Sequence, residues 1–153
     1  KAEEKAGKAT SPSLLDDVAV ALPALTRAVK LQSKAAKVGF DWPALGPVFA
    51  KLEEEIAEFA EVALPASRQS DAATQNRAKI EEEFGDMLFA MTNIARHLDL
   101  DPETALRHAN EKFARRFRYI ETRLAEKGSS PAQSTLDDMD ALWNEVRAAD
   151  KQG

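Results

Sequence analysis

The sequence predicts an all-α protein, an antiparallel helical bundle of four to five helices. Apolar residues recur over long stretches with the spacing of amphipathic helices, and no alternating strand pattern of useful length interrupts them. The connections between these stretches are mostly short, which favours antiparallel neighbours. With 153 residues, of which 44% are hydrophobic and 31% charged, the chain can bury a core without disulfide or metal staples.

The chain begins with a segment that has no hydrophobic period. Residues 1–13 are small and charged, which is typical of a linker or a disordered tail. Residues 14–150 are therefore predicted to form the folded domain. Because the first residue is Lys1 and not Met, we expect a processed chain or a piece of a longer protein.

Three helices are expected in the first two thirds of the chain. The first ends at about Val38, where the segment GFDWP (39–43) stops it with a glycine and a proline. Apolar spacing predicts a second helix over about 47–64 and a third over about 77–98. Between these two, residues 65–76 are predicted to form a loop, because they begin with proline and are mostly polar.

Capping signals define the last two predicted helices. Asp101 is the expected N-cap of the fourth helix, with a proline directly after it in the first turn and Gly128 at the far end. Thr135, followed three residues later by Asp138, predicts a capping box at the start of the fifth helix.

Composition excludes several classes of protein and of site. The chain has no cysteine, so it offers no disulfide, zinc–thiolate site, iron–sulfur cluster or thiol nucleophile. A formal net charge of −5 argues against a nucleic-acid partner, because such proteins usually carry a basic surplus. No apolar run approaches the roughly 18 residues of a membrane span, and no signal peptide opens the chain. We therefore expect no membrane partner and a cytoplasmic location.

A short acidic pattern occurs twice. Residues 51–58 are KLEEEIAE and residues 79–86 are KIEEEFGD. Both read lysine, aliphatic residue, three glutamates, apolar residue, small residue and acid, and they begin 28 residues apart on the second and third predicted helices. The repeat predicts that these two helices present equivalent carboxylates.

Helical geometry brings one acid of each octamer to the edge of the apolar stripe. At about 100° per residue, Glu55 and Glu83 lie about 60° from the centres of their stripes, and Glu58 and Asp86 follow one turn later. If the two helices pack antiparallel, these four carboxylates converge. Close carboxylates repel unless they are protonated or neutralised by cations. Oxygen-only ligands favour hard cations such as Mg²⁺ or Mn²⁺.

The alternative hypothesis is that these acids form ordinary solvated helix faces, as most charged runs do. Glu53, Glu61 and Glu81 are expected to be solvated in either case. Gly85 lies inside the third helix, where a glycine costs about 1 kcal/mol relative to alanine. We expect a close approach of helices to explain that glycine.

The fourth helix carries a basic segment. Residues 107–118 (RHANEKFARRFR) hold five basic residues and one acid. Lys112 and Arg116 flank the stripe as an i,i+4 pair, which suits a polyphosphate bound beside a metal, although both can instead pair with acids across the bundle. Asn110 falls on the stripe, where a buried amide needs a partner. Trp143 falls on the stripe of the last helix and either packs in the core or stacks on a base.

Taken together, these motifs resemble the MazG nucleoside triphosphate pyrophosphohydrolases of the all-α NTP pyrophosphatase superfamily. The resemblance rests on EExxE at 54–58, ExxD at 83–86 and NEKFARRF at 110–117, together with KVGFDWP at 37–43. It extends over about 14–147 and is closest to the C-terminal catalytic domain of two-domain bacterial members.

The resemblance implies hydrolysis of NTPs or dNTPs to the monophosphate and pyrophosphate, which would clean the nucleotide pool. It implies Mg²⁺ as the cofactor, with Mn²⁺ as a possible substitute, and assembly as a homodimer. The implied metal ligands are Glu55, Glu58, Glu83 and Asp86, and Glu54 is the candidate general base. The implied substrate-binding residues are Lys51, Glu54, Lys79, Glu82, Lys112, Arg115, Arg116 and Trp143.

Two rival hypotheses remain open at this point. A specialised relative, such as an all-α dUTPase-like or phosphoribosyl-ATP-type pyrophosphohydrolase, would prefer a single nucleotide. A non-enzymatic helical module would use its acidic face to bind a basic partner protein, and Mg²⁺ would not stabilise it.

Overall fold

The computed structural model describes residues 12–68 and 76–153, and all regular structure in these residues is helical. This confirms the predicted all-α class. In these described residues, five α-helices follow one another, with one 3₁₀ turn at Pro131–Gln133 before the last. They are α1 (Ala24–Ala36), α2 (Leu45–Arg68), α3 (Arg77–His97), α4 (Pro102–Glu126) and α5 (Leu136–Gln152). The predicted 1–13 tail lies almost wholly outside the described residues, and its disorder stays a prediction.

The chain divides into two compact units. The first unit ends at Glu103 and contains α1, α2 and α3, of which α3 packs against both of the others. The second unit runs from Thr104 to Gly153 and contains most of α4 and all of α5. The division of the sequence into a 1–13 tail and a 14–150 domain stays a prediction.

Two glycines end helices as the sequence predicts. Gly39 and Gly128 adopt left-handed backbone with φ of +92° and +71°, which is accessible to glycine without a Cβ penalty. In both places the residue after the glycine donates its N–H to a carbonyl five residues back, over 3.1 Å for Phe40 and 2.9 Å for Ser129. These bonds satisfy carbonyls that would otherwise lack partners at the helix end.

Two predicted N-caps are also confirmed. The Asp101 carboxylate accepts a hydrogen bond of 3.0 Å from the backbone N–H of Glu103 at the start of α4. The Thr135 hydroxyl accepts one of 3.1 Å from the backbone N–H of Asp138 at the start of α5.

The predicted end of the second helix was wrong. The sequence placed the break at Pro65, but α2 continues for one further turn to Arg68 with that proline inside it. A proline removes one N–H from the helix and restricts the residue before it, whereas the residues after it remain free to be helical. Residues 69–75 of the predicted loop lie outside the described residues.

The second unit has a small apolar core between α4 and α5. Ile120, Leu124 and Leu142 are each at least 94% buried and contact one another. Phe117, Met139 and Trp143 pack around them. All six belong to the apolar stripes predicted for the fourth and fifth helices. Leu106, Phe113 and Leu136, which the same spacing places on these stripes, are exposed. The stripes are therefore confirmed only in the C-terminal half of α4 and from Met139 onward in α5.

No described helix is both long enough and apolar enough to cross a membrane.

We predict that Leu142→Ala lowers the free energy of unfolding by about 2–5 kcal/mol, because it opens a cavity in this core. Denaturant titration followed by circular dichroism measures the change. Leu136→Ala, the same substitution at an exposed position of α5, is the control and should cost much less. Equal losses in the two variants would contradict the described core.

Candidate metal centre

Two buried glutamates occupy equivalent places on α2 and α3. Glu55 and Glu83 are 6% and 7% exposed, which is unusual for a charged side chain. Each is held by a lysine one turn earlier on its own helix, Lys51 at 2.8 Å and Lys79 at 2.9 Å. The repeat of the two octamers in the sequence is therefore also a repeat in structure.

The glutamate directly before each buried one lies beside the same lysine and is exposed. Glu54 is 3.5 Å from Lys51 and Glu82 is 3.7 Å from Lys79, and both carboxylates are exposed. The neighbouring glutamates raise the pKa of both lysines. The largest cause is the hydrogen bond from Lys51 to Glu55 and from Lys79 to Glu83. Both lysines are thus firmly cationic at neutral pH.

One oxygen of each buried glutamate has no partner. The second carboxylate oxygen, Oε2, of Glu55 and of Glu83 is enclosed and accepts no hydrogen bond from any described residue. A buried, unpaired carboxylate oxygen is costly. These two oxygens therefore mark a place where a positively charged group fits.

Glu58 completes a cluster with the two buried glutamates. One carboxylate oxygen from each of Glu55, Glu58 and Glu83 lies within 4.8 Å of the others. Repulsion by Glu55 is the main reason that the pKa of Glu58 is raised, and burial and Glu83 add to it. The expected convergence of the octamers is thus seen for three of the four acids.

Asp86, the fourth expected ligand, is exposed and stands outside this group of three. It nevertheless lines a cavity of about 650 Å³ together with Glu55 and Lys51. Partial burial raises its pKa, and repulsion from Glu55 and Glu83 raises it further. Asp86 therefore lies close enough to the cluster to share its negative field.

The cluster fits a divalent cation by its chemistry. All of its donor atoms are carboxylate oxygens, which are the ligands of hard cations. At about 4.8 Å and an effective dielectric constant of about 20, the charges of Glu55 and Glu83 repel by roughly 3–4 kcal/mol. The two lysines bind one oxygen of each glutamate, at 2.8 Å and 2.9 Å, and leave the second oxygen of each without a partner among the described residues.

The expected orientation of α2 was wrong in one respect. The apolar spacing of the second predicted helix puts Phe49, Leu52 and Ile56 on one stripe. With Leu52 at its centre, Glu55 was expected at the border of that stripe. In the structure Val48, which is 1% exposed, lies on the buried face with Glu55, whereas Phe49 and Ile56 are nearly half exposed. The buried face is therefore rotated toward the acid, because α3 packs there.

The explanation expected for Gly85 was also wrong. A Cβ atom added at this glycine would meet no other described atom within 4 Å. No close approach of helices within the described chain accounts for the glycine, and nothing else in the structure explains it. Glu53, Glu61 and Glu81 are exposed, as expected.

The basic segment lies on α4 in the second unit. Lys112 is exposed and forms no ion pair among the described residues. Arg115 and Arg116 both bind Asp150 of α5, at 2.8 Å and 2.9 Å. These hydrogen bonds, from Arg115 first, lower the pKa of Asp150. Sequence analysis missed Asp150, and the only available signal was its position seven residues after Trp143 on the same helix face.

Trp143 is both a core residue and a contact of the basic segment. Its ring is tilted against Phe113 at 5.7 Å and lies 5.2 Å from the guanidinium carbon of Arg116, a cation–π distance. Asn110, in contrast, is exposed, so the expected buried amide at that position was wrong. The apolar face of α4 is therefore narrower near its middle than the sequence suggested.

A family comparison matches the part of the chain that carries these features. A sequence model of the MazG nucleotide pyrophosphohydrolase domain matches residues 47–120. This range includes both acidic octamers and the basic segment 107–118.

Curated relatives match over nearly the whole chain. A nucleoside triphosphate pyrophosphohydrolase of Escherichia coli (strain K12) is 48% identical over 147 residues, which are 96% of this chain and 53% of that protein. The nucleoside triphosphate pyrophosphohydrolase/pyrophosphatase MazG of Thermotoga maritima is 34% identical over 151 residues, 99% of this chain and 54% of that protein. The uncharacterized protein YabN of Bacillus subtilis (strain 168) is 47% identical over 150 residues, 97% of this chain and 29% of that protein. The chain thus spans about half the length, or less, of these relatives.

We predict that a divalent cation raises the thermal unfolding midpoint, because it neutralises the repulsion among the clustered carboxylates. A cation at 100 times its dissociation constant stabilises by about 2.7 kcal/mol. Differential scanning fluorimetry with Mg²⁺, Mn²⁺ or EDTA measures the effect, and Na⁺ at equal ionic strength controls for screening.

Glu83→Gln should abolish this stabilisation, whereas Glu81→Gln, an equal charge change at an exposed position two residues earlier, should preserve it. An undiminished cation effect in Glu83→Gln would refute the centre.

Proposed function

Since the chain belongs to the MazG family of nucleotide pyrophosphohydrolase domains, we propose that it hydrolyses nucleoside triphosphates to the monophosphate and pyrophosphate. Water adds across the anhydride bond between the α- and β-phosphates, so one oxygen of water enters a product and its protons are released. We propose the same reaction for NTPs and dNTPs, in the cytoplasm, as a means of cleaning the nucleotide pool.

The observation that carries this proposal is the pair of half-satisfied glutamates. Glu55 and Glu83 each use one oxygen to bind a lysine and leave the other enclosed without a partner. A solvated acidic face has no need of such an arrangement. It suits a site that binds a cation through carboxylate oxygens and, through the cation, a triphosphate.

Glu55, Glu58, Glu83 and Asp86 would hold Mg²⁺, which supplies positive charge to the phosphate oxygens and Lewis-acid activation when bound. Lys51 and Lys79 bind one oxygen of each buried glutamate and so keep the other oxygen in position. This support fixes the geometry of both ligands before substrate arrives.

The exposed acids at the edge of the pairs are proposed to act on the substrate. Glu54 would accept a proton from the attacking water, because it is a solvent-accessible carboxylate next to a ligand. Glu82, its equivalent on α3, would line the site beside Lys79.

The basic segment is proposed to bind the triphosphate. Lys112 offers an exposed ammonium group that pairs with no acid of the described residues, and Arg115 and Arg116 offer guanidinium groups suited to phosphate oxygens. The Asp150 carboxylate forms ion pairs with both arginines, at 2.8 Å for Arg115 and 2.9 Å for Arg116, and so orients them. Trp143, beside Arg116, would contact the nucleotide.

We also propose a homodimer. Apolar side chains on both helices of the candidate metal centre are about half exposed: Phe49 and Ile56 on α2, and Met91 on α3. Burying each such side chain stabilises by about 1.5–3 kcal/mol, so these faces favour a second copy of the chain.

The reaction class is tested by product analysis. Each common NTP and dNTP is incubated with the protein in Mg²⁺ or in EDTA, and products are separated by ion-exchange chromatography. We expect monophosphate plus pyrophosphate in Mg²⁺ and none in EDTA. Diphosphate plus phosphate, or no product from any nucleotide, would overturn the proposal, and turnover of one nucleotide alone would indicate a specialised relative.

The ligand assignment is tested by paired substitutions. Glu55→Ala and Asp86→Ala should reduce turnover by at least about 100-fold, since each removes a ligand. Glu53→Ala, which removes an exposed acid from the same helix, should leave turnover nearly unchanged. Circular dichroism verifies that all variants fold, and near-normal turnover in Glu55→Ala or Asp86→Ala would refute the assignment.

A further inference from the structure

A cavity of about 650 Å³ opens beside the candidate metal centre, entirely within the first unit. Glu55 and Asp86 line one part of it. Elsewhere its walls come from α1, from α3 and from the segment between α1 and α2. Its volume suits a nucleoside rather than a cation alone, since small-molecule sites generally span about 300–1,000 Å³.

Aromatic rings border this cavity. Phe40 and Trp42, in the segment after α1, and Phe89 of α3 all line it and are each about half exposed or more. Exposed aromatic faces at a cavity wall suit a flat ring, because bases stack on aromatic side chains. An apolar core function does not explain three such rings at an opening.

Gln32 lines this cavity, and its amide keeps a hydrogen-bond acceptor without a partner among the described residues. Its Nε2 donates to the backbone carbonyl of Phe89 at 2.9 Å, and a carbonyl can only accept, so the orientation of the amide is determined. Its Oε1 has no partner among the described residues, although Gln32 is only 8% exposed. A buried unpaired acceptor costs about 1–3 kcal/mol.

The amide of Asn93 presents the opposite polarity. Its Oδ1 accepts a hydrogen bond of 3.0 Å from Nε of Arg96, and a guanidinium can only donate. The Asn93 amide nitrogen therefore faces away from Arg96 as a donor. Arg96 is itself held by Asp41, an ion pair that keeps this part of the wall in place.

We propose that this cavity binds the base of the nucleotide, stacked on the aromatic wall and read by the Oε1 of Gln32 and the amide nitrogen of Asn93. An acceptor and a donor that line one cavity match the hydrogen-bonding edge of a nucleobase, which carries both. Glu55 of the candidate metal centre lines the same cavity, as does Asp86, so the phosphates of that nucleotide would lie toward these two carboxylates. The inference rests on the proposed function for its ligand.

A purely structural role for Gln32 makes a different prediction. Its Nε2 joins α1 to α3 through Phe89 and Thr92, which a fold-stabilising role would fully explain. Such a role does not explain the unpaired Oε1. Under it, replacing Gln32 would weaken the binding of every ligand equally. Base recognition instead predicts that replacing Gln32 weakens the binding of ligands that carry a base and leaves the binding of ligands without one unchanged.

The test compares ligands with and without a base and requires no turnover. Binding of the adenosine, guanosine, cytidine and uridine 5′-monophosphates and of ribose 5-phosphate is measured by isothermal titration calorimetry. The wild-type chain should bind at least one monophosphate about tenfold or more tighter than ribose 5-phosphate. Gln32→Met and Asn93→Leu should each reduce that ratio about tenfold.

Matched controls exclude indirect effects. Gln152→Met and Asn144→Leu make the same changes at exposed positions of α5 and should leave the ratio unchanged. Should Gln32→Met fail to fold, Trp42→Leu, at a half-exposed position, carries the same comparison. A wild-type ratio near one, or an unchanged ratio in Gln32→Met, Asn93→Leu and Trp42→Leu, would overturn the inference.

Failure of the proposed function is a separate result. A chain that binds monophosphates in this base-dependent way but releases no pyrophosphate from any triphosphate would retain the inference and lose the reaction.

Discussion

Repulsion between two buried carboxylates is the constraint around which the first unit is organised. Glu55 and Glu83 are buried on neighbouring helices, and each forms an ion pair with one lysine of its own helix. An isolated buried charge is far costlier than any helix preference, so the positions around the pair must accommodate it. The rotation of α2 toward Glu55, the exposure of Ile56 and the raised pKa of Glu58 all follow from this placement.

The second unit satisfies its charges in the opposite way. Asp150 accepts hydrogen bonds from Arg115 and Arg116, and Arg116 also lies over the ring of Trp143. Arg115 and Arg116 are therefore paired within the unit, whereas the enclosed oxygens of Glu55 and Glu83 have no partner among the described residues. The proposed hydrolysis of a triphosphate needs charges of both signs, since a triphosphate is bound through cations and the metal cations through carboxylates.

Much of the fold was predictable from local signals. Gly39 and Gly128 end helices because only glycine adopts their backbone cheaply, and Asp101 and Thr135 start helices because their side chains reach the first free N–H groups. Pro65 misled the prediction because a proline weakens a helix without always ending it. Of the candidate site, the repeat predicted the convergence of Glu55, Glu58 and Glu83, but the roles of the individual residues stay predictions.

The sequence by itself determined most of the helix bounds, the N-caps Asp101 and Thr135 and the repeat of the acidic octamer, because each of these patterns is contained in a short stretch of chain. Only the tertiary structure decided which faces are buried. Asp150 meets Arg115 and Gln32 meets Phe89 across 35 and 57 residues, and no local period encodes such contacts. The enclosed oxygens of Glu55 and Glu83 are of the same kind, because burial is a property of the packed helices and not of either helix alone.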